Sequence, residues 1–169
     1  MSIAQSLLPE FDQEMAGTRK TLERVLDDKL DWRPHEKSMT MGGLATHIAN
    51  MLNWATITLT KDSFDFQPEG SEPYRETQVK SRAELLAKFD QGLTAARAAL
   101  AATTDEAMME KWSLLKGGNA VFTMPRIACL RGLILNHLIH HRAQLGVYLR
   151  MNDVSVPALY GPSADEGAM

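Results

Sequence analysis

Apolar residues in the first part of the chain recur every three or four positions, which is the spacing of a helix buried on one side. The pattern covers residues 3–26 and predicts a first helix, for which Ser2 is a suitable N-cap. Residues 27–38 lack this period and include Pro34, which disfavours helical geometry at the residue before it. We therefore expect a connector in that segment.

The helical period returns in the next segment of the chain. It predicts a second helix that begins after Ser38 or Thr40 and runs to about Lys61. Residues 62–80 contain two prolines and a glycine and show no period. We expect a long loop there rather than a regular element.

The third helix is predicted from its first turn. Ser81 and Glu84 match the S-x-x-E capping box, in which the serine hydroxyl accepts from a free backbone N–H and the glutamate accepts from the N–H of the serine. The apolar period then continues to about Ala102. Beyond it, residues 106–123 hold two short apolar runs around Gly-Gly-Asn, which predict a small hairpin or an irregular excursion.

The last helix has the clearest signal. Pro125 suits a first helical turn because it has no N–H to satisfy, and the apolar period continues from Arg126 to Arg150. Residues 152–169 should be extended. Four long amphipathic helices with long crossover loops predict an all-α fold, a four-helix bundle that forms a single domain over residues 1–169.

Composition excludes several classes of function. The 169 residues include 18 Lys and Arg against 21 Asp and Glu, a net charge of -3, with no basic run, which argues against nucleic-acid binding. No stretch approaches the ~20 apolar residues that span a bilayer. The single cysteine, Cys129, cannot form an intramolecular disulfide, and the first twenty residues lack the pattern of a secretory signal. We expect a cytoplasmic protein.

Three of the histidines are predicted to converge. His137 and His141 lie four residues apart on the last helix, only ~40° apart around its axis, so both face the interior and can contact one ligand. His47 lies on the inner side of the second helix. His140 is turned ~60° to the far side of His137, and His35 lies in the first connector, so both are weaker candidates.

Two interpretations of these histidines stay open. A buried histidine is commonly a hydrogen-bonded core residue. The pair on one helix face favours a metal ion instead, because two adjacent imidazoles compete for partners unless a cation takes their lone pairs. The H-E-x-x-H arrangement of metalloproteases is absent, since no glutamate follows His137.

Acidic residues are missing from both predicted helices that carry these histidines. The acids of the first helix, such as Asp12 and Glu14, are predicted to lie off its apolar face, and di-iron carboxylate chemistry is therefore excluded. Three neutral imidazoles around a divalent ion make a site without a protein anion, which should attract an anionic fourth ligand. An open position of this kind is typical of catalytic zinc. Cys129, turned ~80° from His137, is predicted to be a packing residue.

Three segments of the chain resemble the DinB family of the DinB/YfiT-like superfamily: DWRPHEKSMTMGGLATHIANM (31–51), NHLIHHRAQL (136–145) and YGPSADE (160–166). Members of the family are four-helix bundles that hold a divalent metal ion with three histidines, and many are dimers. The resemblance implies a metal site formed by His47, His137 and His141, the set that helix geometry also selects. Zinc or nickel is the expected metal, with iron and manganese as alternatives. His140 matches an adjacent histidine that is not usually a ligand.

The resemblance also implies a class of reaction. Characterised relatives include thiol-dependent S-transferases and isomerases. We expect a metal-dependent enzyme that activates a thiol or water for a small-molecule substrate, with transferase-like or hydrolase-like chemistry and a homodimeric assembly. The alternative is a non-catalytic metal-binding or stress-response module in which the ion is structural. Candidates for orienting the substrate are Gln144, Tyr148, Asn50 and Trp54.

Overall fold

A computed structural model describes residues 1–167 of the chain and is mostly helical. All four predicted helices are present. The last of them consists of three consecutive stretches, the middle one π-helical. The helices are α1 (Ile3–Leu22), α2 (Met41–Thr60), α3 (Arg82–Ala102), the short α4 (Asp105–Met109), α5 (Arg126–Ala128), the π-helical segment (Cys129–Asn136) and α6 (His137–Met151).

Side chains cap the starts of the first three helices. In α1 the capping box is complete, because the Ser2 hydroxyl accepts from the N–H of Gln5 and the Gln5 side chain accepts from the N–H of Ser2. Thr40 caps α2 through the N–H of Gly43. The Ser81 hydroxyl caps α3 as predicted, but the Glu84 carboxylate accepts from the N–H of Lys80 rather than from that of Ser81.

A small sheet is the main correction to the all-α prediction. Its strands are β1 (Ser63–Asp65), β2 (Lys111–Lys116) and β3 (Asn119–Pro125), in the order β1-β2-β3. The antiparallel pair β2 and β3 is the hairpin expected in that region, whereas β1 pairs parallel to β2 and comes from the predicted loop. The Asp65 carboxylate accepts from the N–H groups of Gly117 and Gly118, both at positive φ, and so holds the hairpin turn against β1.

Two predicted helix ends differ from the structure. Helix α1 ends at Leu22 rather than near residue 26, although Val25 is fully buried, because a turn can also place an apolar side chain in the core. Pro125 closes β3 and is the N-cap of α5 rather than part of its first turn. Residues 152–167 contain no helix or strand beyond the end of α6, in agreement with the predicted extended tail.

The long helices share one apolar core. Helix α2 packs against α3 and α6, and α1 packs against the same two partners. Their buried faces contribute large side chains to a continuous cluster, which includes Phe11, Met15, Leu44, Ile48, Leu52, Phe89, Leu100, Leu138, Leu145 and Leu149. The structure thus places α2 beside α6, the two elements that carry the predicted metal ligands.

A buried ion pair crosses the core between α1 and α6. Arg142 is 2% exposed and donates to the Glu14 carboxylate at 2.7 Å, to the Glu14 carbonyl at 2.9 Å and to the Thr18 hydroxyl at 3.2 Å. The Tyr160 hydroxyl donates to the same carboxylate at 2.6 Å and accepts from Arg142. The prediction that Glu14 lies off the buried face is therefore wrong: its charge is buried because Arg142 neutralises it.

Within residues 1–167, no helix combines the length and the apolar character that crossing a membrane requires.

Candidate metal centre

The structure brings His47, His137 and His141 together. The ring centroids lie 5.2 Å apart for His47 and His137, 5.0 Å for His47 and His141, and 4.6 Å for His137 and His141. One ring nitrogen from each histidine lies within 4.8 Å of the other two, and no cysteine or carboxylate of residues 1–167 belongs to this group. All three side chains are half-buried, so the group lies at the rim of the core rather than inside it.

The outward shift of the histidines has a cause in the helix itself. A π-helical segment accommodates an extra residue relative to an α-helix, and it ends directly before His137. The buried stripe therefore passes from Leu130 and Ile134 to Leu138 and Arg142 rather than to the histidines. A wheel drawn as a straight α-helix places the histidines in the core and misses this change of register.

Each of the three imidazoles has an oxygen acceptor at Nδ1. Nδ1 of His47 lies 3.1 and 3.2 Å from the two carboxylate oxygens of Glu76. Nδ1 of His137 lies 3.2 Å from the Leu133 carbonyl, and Nδ1 of His141 lies 2.6 Å from the side-chain oxygen of Gln144. Because these partners accept, each Nδ1 carries the hydrogen, which assigns the lone pair of each ring to Nε2.

The donor set fits a metal ion. Nε2 of His137 and Nε2 of His141 lie 2.8 Å apart. With both hydrogens on Nδ1, two lone pairs face each other at this distance, an arrangement that is unfavourable unless a cation lies between them. Histidine ligands commonly donate the other ring N–H to a carboxylate or a carbonyl, and all three rings have such an acceptor.

Burial keeps two of these ligands neutral. It is the largest cause of the lowered pKa of both His137 and His141, and repulsion from neighbouring histidines lowers both pKa values further. The Leu133 carbonyl and Gln144 act in the opposite direction without reversing the shift. Neutral imidazole is the form that binds metal, so both rings are available near neutral pH.

Glu76 is the site residue that the sequence did not reveal. It lies in the irregular segment between β1 and α3, where no periodicity or motif marks it. Burial alone raises the pKa of its carboxyl group, but hydrogen bonds from His47 and Asn50 outweigh burial and leave the pKa below its usual value. The expectation of a site without any protein anion is therefore wrong, since a carboxylate stands behind His47 on the side away from Nε2.

The proposed substrate-orienting residues have other contacts in this structure. Asn50 donates to Glu76 at 2.7 Å and to the Tyr74 hydroxyl at 2.8 Å. Gln144 holds His141, and the hydroxyl of Tyr148 donates to the carbonyl of Met39 at 3.2 Å. Trp54 packs edge-on against the ring of His47, with 5.8 Å between centroids.

The remaining candidates lie outside the group. His140 is exposed, with its ring 5.0 Å from that of His141. His35 is exposed in the first connector, where its Nδ1 accepts from the N–H of Lys37. Cys129 is buried against the Thr58 hydroxyl, and burial raises the pKa of its thiol, which fits a packing residue rather than a nucleophile.

Comparisons with known proteins agree with this fold. The uncharacterised protein YrdA of Bacillus subtilis (strain 168) is 27% identical over 163 residues, which are 95% of this chain and 90% of YrdA. The crystal structure of a DinB-like protein from Bacillus cereus ATCC 10987 has a TM-score of 0.70 at 23% identity and covers 94% of this chain and 98% of its own. That of the DinB-like protein YjoA from Bacillus subtilis has a TM-score of 0.69 at 19% identity and covers 91% and 96%. The family model of the DinB superfamily matches residues 10–145, which include all three clustered histidines, and the chain belongs to this superfamily.

Proposed function

We propose that His47, His137 and His141 bind one divalent metal ion through Nε2, and that the protein is a metal-dependent enzyme for a small-molecule substrate. The observation that carries this proposal is the convergence of three Nε2 lone pairs, each fixed by an acceptor at Nδ1. An all-imidazole donor set favours zinc or nickel, with iron next and manganese last. In this proposal the long helices act as a four-helix bundle of the DinB/YfiT-like type that holds the ligands.

The chemistry follows from the ligand count. A bound divalent ion supplies a Lewis acid that lowers the pKa of a thiol or water at its open position. Neighbouring side chains fix the orientation of two ligands. Glu76 orients His47 and adds negative charge behind it, and Gln144 orients His141. We infer a thiol-dependent, S-transferase-like reaction or a hydrolase-like reaction, with a low-molecular-weight thiol as the leading co-substrate.

The structural alternative predicts a closed site. Structural zinc has four protein ligands, whereas the group here offers three half-buried histidines, and Glu76 contacts Nδ1 of His47 rather than completing a tetrahedron. This ligand count supports the open, catalytic interpretation over an ion that only ties α2 to α6.

Metal analysis of protein purified without a histidine tag tests the first step. We expect close to one equivalent of divalent metal per chain, or its uptake by metal-free protein on titration. Less than about a tenth of an equivalent, with no uptake on titration, contradicts the proposal.

Cobalt substitution separates the two kinds of site. If the fourth position is open, azide or an added thiol changes the absorption spectrum of the cobalt-loaded protein, because each binds the ion directly. An unchanged spectrum, together with a large loss of thermal stability on chelation, favours the structural alternative.

We further propose a homodimer, since two-fold dimers are the commonest oligomers. Val147 and Met151 support it, because these large apolar side chains lie one turn apart on α6 and are 57% and 55% exposed. Light scattering at micromolar concentration should give the mass of two chains, and the mass of one chain contradicts the proposal.

A further inference from the structure

A cavity of about 260 Å³ lies between α2, the small sheet and the π-helical segment. Aromatic and aliphatic side chains form nearly all of its wall, among them Trp54, Phe64, Phe66, Trp112, Leu114 and Ile134. Phe64, Phe66 and Leu114 are only half-buried, so the cavity is not sealed from solvent. Its size exceeds the ~150 Å³ of a cavity that binds benzene, so it can hold a substituted aromatic ring.

The cavity adjoins the histidine site through three of its wall residues. The ring of Trp54 packs against that of His47, and the Leu133 carbonyl faces Nδ1 of His137. Tyr74, also in the wall, accepts through its hydroxyl from Asn50, the residue that holds Glu76. A molecule in the cavity therefore lies next to the residues that position two of the three metal ligands.

The surface of this cavity offers almost no polar group. Within residues 1–167, the indole Nε1 atoms of Trp54 and Trp112 have no acceptor, but both atoms are buried behind the cavity surface. The cavity therefore holds a ligand through apolar contacts rather than through hydrogen bonds.

We propose that this cavity binds the apolar part of the substrate, an aromatic ring. The reacting group of the same substrate then lies at the open position of the histidine site. This inference rests on the proposed metal function and adds the substrate class to it. The aromatic part fills the cavity and packs against its aromatic and aliphatic wall.

Nuclear magnetic resonance of the indole N–H groups tests the cavity without any metal. The chain has three tryptophans, and Trp32 packs against Tyr148 instead of lining the cavity. Ethylbenzene, an aromatic hydrocarbon, should shift the Trp54 and Trp112 signals of metal-free protein and leave Trp32 unchanged. Acetophenone has a similar shape but carries a carbonyl for which the apolar wall has no donor, and it should bind more weakly. No shift at saturating ethylbenzene, or equal shifts of all three signals, overturns the proposal.

Matched variants locate the probe. Leu114→Trp fills the cavity and should reduce ethylbenzene affinity at least about tenfold. Val121→Trp adds the same indole to an exposed position of the same hairpin and should not. Equal effects of Leu114→Trp and Val121→Trp contradict the cavity as the binding site.

Cobalt-loaded protein tests the link to the metal site. Benzyl mercaptan should bind at least about tenfold more tightly than 2-mercaptoethanol, judged by the cobalt spectrum, because its ring enters the cavity. Leu114→Trp should abolish this preference and Val121→Trp should keep it. Equal affinities of the two thiols overturn the proposed substrate class. Failure to take up cobalt refutes the metal function instead, and the metal-free experiment still decides whether the cavity binds its probe.

Discussion

His141 and Arg142 are neighbours on α6, yet they belong to regions with opposite chemistry. Around Arg142 the donors and acceptors are matched: the guanidinium contacts Glu14, Thr18 and Tyr160. At His141, the Nδ1 hydrogen is donated to the Gln144 side chain outside the histidine cluster. The Nε2 lone pairs of His141 and His137 face each other without a hydrogen-bond donor between them. Buried polar groups that are hydrogen-bonded within the protein stabilise the fold. Lone pairs that converge without a partner indicate a binding site for a ligand.

The largest expected effect is the loss of a metal ligand. His47→Ala, His137→Ala and His141→Ala should each weaken metal binding by more than the ~10–100-fold that loss of an outer partner costs. Isothermal titration of the metal-free variants measures this. His140→Ala and His35→Ala are the controls and should retain binding within a few-fold. If His140→Ala abolished binding while His141→Ala retained it, the assigned ligand set would be wrong.

Loss of the buried ion pair between Arg142 and Glu14 should lower the stability of the fold. Arg142→Met leaves the Glu14 carboxylate buried without its partner and should lower the free energy of unfolding by about 3–5 kcal/mol. Urea denaturation of metal-free protein measures this loss. The exposed pair Arg97 and Asp12 gives the control, since Arg97→Met breaks a solvent-screened ion pair and should lower the free energy of unfolding far less than Arg142→Met.

The same variant also separates the two regions by metal affinity. Folded Arg142→Met protein should keep its metal affinity, since no contact of Arg142 reaches the three clustered histidines. A loss of affinity comparable to that of His141→Ala, measured where the variant remains folded, would show that the two regions are not independent.

Glu76 gives a smaller, graded effect on the metal site. Glu76→Ala removes the acceptor from His47 and should weaken metal binding by about 10–100-fold. Glu76→Gln keeps an acceptor oxygen and should lose less. Glu72→Ala, an exposed acid of the same segment, is the control. The same isothermal titration measures all three, and an effect of Glu72→Ala equal to that of Glu76→Ala would indicate long-range charge rather than the hydrogen bond.

The smallest expected effect concerns the tail. Tyr160→Phe removes the hydroxyl that contacts both Glu14 and Arg142 and should lower the free energy of unfolding by about 1–2 kcal/mol, because both partners are charged. Tyr148→Phe removes a single hydroxyl contact to a carbonyl and should cost less. Thermal or urea denaturation ranks the two, and the reverse order would contradict a structural role for the Tyr160 contact.

Local sequence information was enough for the helices and for the histidine pair. Caps at Ser2, Thr40 and Ser81 marked three helix starts, and a spacing of four residues placed His137 beside His141 whatever happens elsewhere in the helix. These features depend on residues within one or two turns of each other, so a periodic pattern predicts them.

Features that depend on distant residues were missed. Strand β1 is recognisable only beside β2, and Glu14 is buried only because Arg142 lies opposite it. Glu76 reaches His47 from an irregular segment that has no spacing of its own to signal a role. The π-helical segment shifts the buried stripe by one residue. Over so short a segment, hydrophobic periodicity cannot distinguish a π-helix from an α-helix.

The protonation pattern of the histidine rings tests the central claim most directly. Proton–nitrogen correlation spectra of protein with isotopically labelled histidines report the state of each ring nitrogen, before and after one equivalent of zinc is added. We expect His47, His137 and His141 to keep the hydrogen on Nδ1 and to show a metal-induced change at Nε2, with His140 and His35 unchanged. Zinc binding through Nδ1 of any of the three, or a change at His140 in place of His141, would contradict the account.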